Sequence, residues 1–316
     1  MSNVTDEMEP NILYSHGHLF SILVSSFTTL VGVPGNALAL WITGVKMKWT
    51  MTTIWFWNLA LADIICCLSL PLTVAQYFYP YWLYGPVLCK ILNFSLVVNM
   101  FASVFTLVAI SVDRCILVVQ PIWARNHRSV RIAWMSCLAI WTLSLVMCLP
   151  YVLYQKFYTS GNRTWCYSEL DTLELTGYIH MVFGFLLPFL IISICYISVA
   201  FKLQNRRFTE AGNKITKVSL GIVVAFFITW APYHIMSVVL IYTENEVVDI
   251  FDFLSDSLAQ LNCCINPILY VFMGKDMKDK LRQSIGELMQ NTLSESLSSP
   301  STQRNQHTAA DNGPLQ

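Results

Sequence analysis

The sequence predicts an all-α membrane protein, a seven-transmembrane helix bundle followed by a short amphipathic helix 8. Three observations carry this expectation. The chain is unusually apolar, its apolar residues fall into seven runs long enough to cross a bilayer, and its lysines and arginines gather at alternate connections. Of 316 residues, 55% are hydrophobic and 12% charged, and mean hydropathy is +0.53. A soluble domain carries about 25% charged residues. Half that share leaves too little polar surface to clothe a water-facing globule. Net charge is zero and by itself says nothing of partners; no nucleic-acid partner is expected.

A bilayer core of about 30 Å needs about 20 apolar residues in a helix. The first such run is Leu19 to Val45, without a charge, and the second is Met51 to about Phe78, interrupted by Asp63. The third is Ile91 to Val112, closing on Asp113-Arg114, and the fourth is Ile132 to Gln155. The fifth is Leu175 to Phe201, the sixth Val218 to Thr243, and the seventh about Asp252 to Gly274. Four regions follow: an N-terminal tail over 1–18, the seven-transmembrane domain over 19–273, the amphipathic helix over 274–286 and a disordered tail over 287–316. No basic segment opens the chain, so the first apolar run is expected to stay in the protein.

Orientation follows from the basic residues. With the N-terminus outside, sixteen of the nineteen lysines and arginines fall on the inner side, leaving Lys90, Lys156 and Arg163 outside. The C-terminus then faces the cytosol, as an odd number of spans requires, and the chain is expected in the plasma membrane as a multi-pass protein. Asn3-Val-Thr5 and Asn162-Arg-Thr164 are glycosylation acceptors that fall outside. Eight of the ten cysteines lie within apolar runs, where they behave as small hydrophobes. The other two, Cys89 and Cys166, fall on the oxidising side and are expected to pair, tying the third helix to the second outer loop.

An ionisable group inside a membrane is costly and marks function by default. Asp63, in Asn58-Leu-Ala-Leu-Ala-Asp63, is the clearest case. Asn36, Asn99, Ser103, Asn262 and Asn266 are further polar groups at membrane depth. They read either as an oxygen-lined site for a small cation or as hydrogen-bonded helix glue. Asp113-Arg114 reads either as a latch, since removing one partner strands the other charge, or as a positive-inside anchor. Pro71, Pro150, Pro188, Pro232 and Pro267 interrupt spans; each removes a helix hydrogen bond and permits a bend.

These residues together resemble the rhodopsin-like family of G-protein-coupled receptors. The resemblance runs through all seven spans: Gly35-Asn36; Leu59-Ala-Leu-Ala-Asp63; Trp82 and Cys89; Asp113-Arg114-Cys115; Trp141 and Pro150; Pro188 and Tyr196; Phe226, Trp230, Pro232 and Tyr233; Asn266-Pro-Ile-Leu-Tyr270. Cys115 departs from the tyrosine more common in the family. Asn99-Met-Phe-Ala-Ser-Val-Phe105, Pro121-Ile-Trp-Ala-Arg-Asn-His-Arg128 and Trp230-Ala-Pro-Tyr-His234 are similar to the chemoattractant branch, which includes receptors for complement anaphylatoxins, chemerin, formyl peptides and leukotriene B4. Phe101-Ala-Ser-Val-Phe105 and Ile122-Trp123 resemble receptors for the third-component anaphylatoxin. The short second outer loop is more like the leukotriene or fifth-component receptors.

The resemblance implies roles. A sodium ion, as an allosteric ligand rather than a cofactor, would take Asp63, Ser103, Asn262 and Asn266, with Asp63 as its charged ligand. Coupling to a heterotrimeric G protein, of the inhibitory class in this branch, would fall to Asp113, Arg114, Tyr196 and Tyr270. Helical facing and family position together place Leu96, Val97, Met100, Gln155, His180, Trp230, Tyr233, His234, Asp252 and Asp256 about a ligand pocket. Asp252 stands where anaphylatoxin receptors meet the ligand's terminal arginine. The two arginines that meet the ligand's carboxylate there are Gln155 and His180 here. His180 would bind a carboxylate only when protonated, with an ordinary value near ~6.5.

Eleven acidic residues against three basic ones face outward. Such a rim attracts cations, so a basic peptide or small protein is the expected ligand, and within the resembled branch a complement anaphylatoxin. On the inner side, Lys275 to Arg282 reads as a basic amphipathic helix on the membrane. Ser294, Ser296, Ser298, Ser299, Ser301 and Thr302 in the tail are expected phosphorylation sites that would add charge for an arrestin. A transporter would show repeats and broken helices, and a membrane enzyme a nucleophile or metal motif; neither pattern is visible, so no catalytic residue is expected. A same-fold scavenger that does not couple is disfavoured by the intact Asp113-Arg114 and Asn266-Pro-Ile-Leu-Tyr270.

Overall fold

The computed structural model describes residues 12–79, 81–161, 163–168, 170–204, 210–243 and 246–272. Helix α1 (Ile12–Trp41) widens into a π turn at Ile42–Lys46. Helices α2 (Met51–Gln76) and α3 (Gly85–Val119) follow, then a short α4 (Pro121–His127) and α5 (Val130–Tyr154). Strands β1 (Gln155–Ser160) and β2 (Arg163–Ser168) form an antiparallel hairpin. Helix α6 (Leu170–Ile179) passes through a π segment, His180–Leu186, into α7 (Leu187–Gln204). Helices α8 (Glu210–Tyr242) and α9 (Glu246–Phe272) complete the described chain. The seven expected spans are α1, α2, α3, α5, the α6–π–α7 unit, α8 and α9.

The helices close a ring. Helix α1 packs on α2 and α9, α8 packs on α9 and α6, and α3 lies against α2, α5 and α7. Among the described residues, six helices are long and apolar enough to cross a membrane. The 27-residue α9 is the remaining span; Asp252, Asp256, Gln260, Asn262 and Asn266 dilute its apolar content. The outer faces are apolar. On α5, Leu138, Leu145, Leu149 and Leu153 are exposed at a spacing of seven and then four residues, a stripe suited to lipid. The interior holds the polar groups, with Asn36, Asn58, Asp63, Asn99, Asn262 and Asn266 all buried. This arrangement suits a solvent that cannot hydrogen-bond.

Those interior groups join helices. Asn58 on α2 donates to Thr106 Oγ1 on α3 (2.6 Å) and accepts from Trp141 Nε1 on α5 (2.8 Å). Asn36 on α1 donates to the Cys263 carbonyl on α9 (2.7 Å). Around the start of α2, Trp49, Trp57 and Trp134 pack with ring centroids 5.3–6.2 Å apart, a clustering that suits an aromatic belt.

Several boundaries differ from the sequence reading. Helix α3 extends beyond its apolar run at both ends, and Asp113-Arg114 lies inside it rather than at its close. The apolar run marks the stretch that lipid demands, whereas a helix propagates until a stop arrives, here Pro121. Helix α2 begins at a reciprocal cap in which the Thr50 N–H donates to Thr53 Oγ1 (2.7 Å) and the Thr53 N–H to Thr50 Oγ1 (3.2 Å). Gln155 is not the last residue of the fourth span but the first of β1. The hairpin and α4 were not anticipated. The expected amphipathic helix and tail, with Ser294, Ser296, Ser298, Ser299, Ser301 and Thr302, lie outside the described residues, as do Asn3 and Asn162.

Candidate functional site

At one end of the bundle, Cys89 near the start of α3 is disulfide-bonded to Cys166 on β2, with Cα atoms 5.7 Å apart. A second tie fixes the hairpin: the Trp82 N–H donates to the Thr164 carbonyl (2.8 Å) and the Thr164 hydroxyl donates to the Trp82 carbonyl. Gln155, buried below the hairpin, donates from Nε2 to Cys166 Sγ (3.2 Å).

Beside this anchor lies a cleft of about 500 Å³. Trp165 and Cys166 form one wall, and the end of α2 with the following loop supplies Tyr77, Tyr79, Tyr81 and Trp82. His18 of α1 packs against Tyr77 (centroids 5.2 Å apart) and Phe253 (4.9 Å) on the opposite side. The charged lining residue is Asp256 of α9. Gln260 Nε2 donates to Asp256 Oδ2 (3.0 Å), and Ser25 Oγ donates to Gln260 Oε1 (2.5 Å). The carboxylate is thus held from below by α1 and its own helix while it borders the aromatic cleft.

Six of the ten expected pocket residues gather deeper in one packed cluster. His180 faces Phe101 (5.5 Å) and Tyr233 (6.3 Å), and Trp230 meets Tyr233 edge-on (5.4 Å). His234 contacts Trp230 (6.2 Å) and Phe185 (5.2 Å). Val97 and Met100 are buried in the same core. Gly184, in the π segment, permits this density: a Cβ there would lie 3.0 Å from Met100 Cε and 3.1 Å from His234 Cε1. The π segment precedes Pro188, which has no N–H to give to the preceding turn. Leu96 packs beside Cys66, Cys67 and Cys263. Asp252 lies one helical turn before Asp256 on α9, and its backbone carbonyl accepts from Ser255 Oγ (2.9 Å). Sequence reasoning missed His18, Tyr77, Tyr79, Tyr81 and Phe253. The density of aromatics in Tyr77-Phe-Tyr-Pro-Tyr-Trp82 was the signal available, since such amphipathic rings suit a wet recognition surface.

At membrane depth Asp63 accepts from Asn99 Nδ2 at Oδ1 (3.0 Å) and from Asn266 Nδ2 at Oδ2 (2.8 Å). Ser103 lies one turn along from Asn99, and Asn262 one turn before Asn266. Ser103 Oγ and Asn262 Oδ1 are buried with no hydrogen-bond partner among the described residues. Oxygen ligands around a carboxylate are what a small hard cation takes, so these residues fit a sodium ion.

At the opposite end of the bundle from the disulfide, Asp113 is shared by two arginines. Arg128 donates from Nε to Oδ1 (2.7 Å) and from Nη2 to Oδ2 (3.1 Å), while Arg114 Nη2 lies 3.1 Å from Oδ2. Arg114 Nη2 also donates to Thr52 Oγ1 on α2 (2.5 Å). Arg128 in this arrangement was not expected; its place in Pro121–Arg128 beside α3 was the only hint. Tyr196 is partly buried and packs against the main core. Tyr270 lies in α9, and its side chain is outside what is described.

Seven spans thus enclose buried polar contacts, with a disulfide-tethered cleft at one end and a carboxylate shared by two arginines at the other. The model of the rhodopsin family of 7-transmembrane receptors matches residues 35–270, and the chain belongs to that family. It is 43% identical over 288 residues to a C3a anaphylatoxin chemotactic receptor of Danio rerio, covering 89% of this chain and 79% of the relative. It is 37% identical over 304 residues to chemerin-like receptor 1 of Homo sapiens (88% and 80% covered). It is 36% identical over 290 residues to C5a anaphylatoxin chemotactic receptor 1 of Oryctolagus cuniculus (88% and 83% covered). The chain is therefore a G-protein-coupled receptor of the chemoattractant branch, a multi-pass plasma-membrane protein and not an enzyme. The 288-residue Danio rerio match leaves no room for a long insertion, whereas the Mus musculus receptor of the same name aligns over 449 residues against a chain of 316, so the length of an insertion varies among receptors of that name.

Proposed function

We propose that this receptor presents its N-terminus and hairpin outside the cell, binds a basic anaphylatoxin-like peptide in the outer cleft, and signals through an inhibitory-class G protein. The observation that carries this reading is Asp256 bordering an aromatic cleft. An arginine or lysine of the ligand would pair with that carboxylate while its stem lies against Tyr and Trp rings, which also attract cations. Asp252, one turn outward, would meet the same cationic end, and the acidic rim would speed its approach. The deeper residues Leu96, Val97, Met100, Gln155, His180, Trp230, Tyr233 and His234 would sense the ligand by repacking.

A ligand shifts a conformational equilibrium only by binding one state better. The states proposed are closed and open arrangements of α8 about Pro232. Opening would free Arg114 from Asp113 and expose a cleft for a G-protein helix, with Tyr196 and Tyr270 steadying it. A sodium ion held by Asp63, Ser103, Asn262 and Asn266 would favour the closed state. Phosphorylation of the tail would recruit arrestin. Inhibition of cAMP in transfected cells, measured against peptides from the C-termini of C3a, C5a and chemerin, tests the reading. A response to a basic anaphylatoxin peptide that is lost in Asp256→Asn is expected. No response to any of the three would overturn the ligand class.

A further inference from the structure

A second hollow, of about 420 Å³, opens on the opposite end of the bundle between α3, α4 and α5. Its walls are apolar, with Phe105, Val112 and Ile116 on α3 facing Ile132, Ala139 and Ile140 on α5. Its polar lining holds Arg128 and His127 together with Asp113, the carboxylate that Arg128 and Arg114 share, and Arg125 and Arg131 are exposed in the same stretch of chain. Two Arg128 N–H groups go to Asp113. A guanidinium has five, so three more can serve a second anion without breaking that pair. His127 stacks on Trp123 with centroids 4.3 Å apart. Its Nδ1 is 3.0 Å from the Trp123 carbonyl; because a carbonyl only accepts, Nδ1 donates.

We propose that this hollow binds an anionic lipid of the adjoining membrane leaflet, its phosphate headgroup at Arg128 and one acyl chain between α3 and α5. The argument is charge complementarity. An apolar slot of 300–1,000 Å³ is of ligand size, and the two arginines that share the single carboxylate of Asp113 leave a net positive charge there that a zwitterionic lipid would not offset. A lipid, not a soluble anion, is the occupant because the slot behind the arginine is lined by hydrocarbon and flanked by exposed Leu138 and Met135 on α5. The leaflet is the inner one under the orientation proposed above.

The test uses the full chain in nanodiscs of phosphatidylcholine. These contain a small share of lipid with a photoreactive acyl chain and either a serine or a choline headgroup. Nanodiscs expose both leaflets, so the outcome does not depend on orientation. Labelled peptides are mapped. The serine-headgroup probe is expected to label 105–116 and 132–140 about fivefold more than the choline probe for each arginine engaged. Arg128→Gln should bring the two probes together, and Ala139→Trp, which fills the slot from an exposed position, should remove labelling there by both. Labelling of the outer stripe at Leu145 and Leu149 reports that each variant is inserted and folded. Equal labelling of the hollow by both probes, or labelling insensitive to Ala139→Trp, overturns the proposal.

Discussion

Replacing Asp113 by Asn tests the inner latch. The wild-type side chain is 3% exposed and receives two N–H bonds from Arg128 and a 3.1 Å contact from Arg114. The variant keeps the shape and loses the charge, leaving two guanidiniums facing each other. Breaking a buried pair from one side costs about 3–5 kcal/mol. The Arg128 side chain is 26% exposed, so water offsets part of that loss, and Arg114 retains Thr52. A cost to the closed state of about 2 kcal/mol is the reasonable figure, or about a 30-fold shift toward open. A minor open state near ~1% would rise to about a quarter of the receptors. Basal nucleotide exchange on an inhibitory-class G protein, measured in membranes without ligand, should therefore climb about 20-fold in Asp113→Asn if it follows the open population. If a surface-expressed, peptide-binding variant exchanged at the wild-type rate, Asp113 would not be restraining the closed state.

Asp256→Asn should weaken binding of a basic anaphylatoxin peptide by about 1.5–3 kcal/mol, the worth of a charged hydrogen bond; competition binding that shows no loss would remove it from the site. Asp63→Asn should abolish the sodium dependence of agonist affinity, and a variant that still responds to sodium places the ion elsewhere. Gly35→Ala would set a Cβ 2.8 Å from Pro267 Cβ and 3.1 Å from its Cγ. The ring cannot swing aside, so α1 and α9 must part, at about 1–3 kcal/mol, seen as a lower melting temperature in detergent; an unchanged melting point would show that the helices adjust freely. Cys166→Ser opens a closure across 77 residues, worth about 4 kcal/mol on the chain-entropy relation; undiminished thermal stability would contradict that estimate.

The spans were legible because lipid demands apolar length, and α1, α2, α3, α5 and α8 announce it directly. Helix α9 was legible despite Asp252 and Asp256 because its apolar residues alternate with polar ones that point into the bundle. The hairpin was missed because the reading stopped at the fourth apolar run, although Ser160-Gly-Asn-Arg163 is a turn signal between two segments of alternating character. Whether a residue lines a cavity or fills a core was not legible. His180 and His234 share the facing of pocket residues, yet Gly184 lets the neighbouring helices close around them. Nor did spacing reveal Arg128, which reaches Asp113 only because Pro121 starts a new helix that turns the chain back beside α3.

Helix α3 and helix α8 are held in different ways, and that difference decides which one moves. At successive levels α3 is fixed by directional contacts: the disulfide at Cys89, Asn99 on Asp63, Thr106 on Asn58, and Asp113 between Arg114 and Arg128. Shifting it requires breaking several of these together. At the level of the deep cluster, α8 instead presents Phe227, Tyr233 and His234 to rings of the preceding span, Phe185, Phe189 and His180. Ring pairs are worth about 0.5–1.5 kcal/mol each beyond their burial and can exchange partners without leaving a polar group unpaired. Pro232, inside α8, supplies the bend. A ligand that presses on Tyr233 or His234 therefore meets a helix whose contacts can be re-formed after rotation, packed beside a helix whose contacts cannot. The geometry favours motion of α8 against a fixed α3, the helix that also carries Asp113.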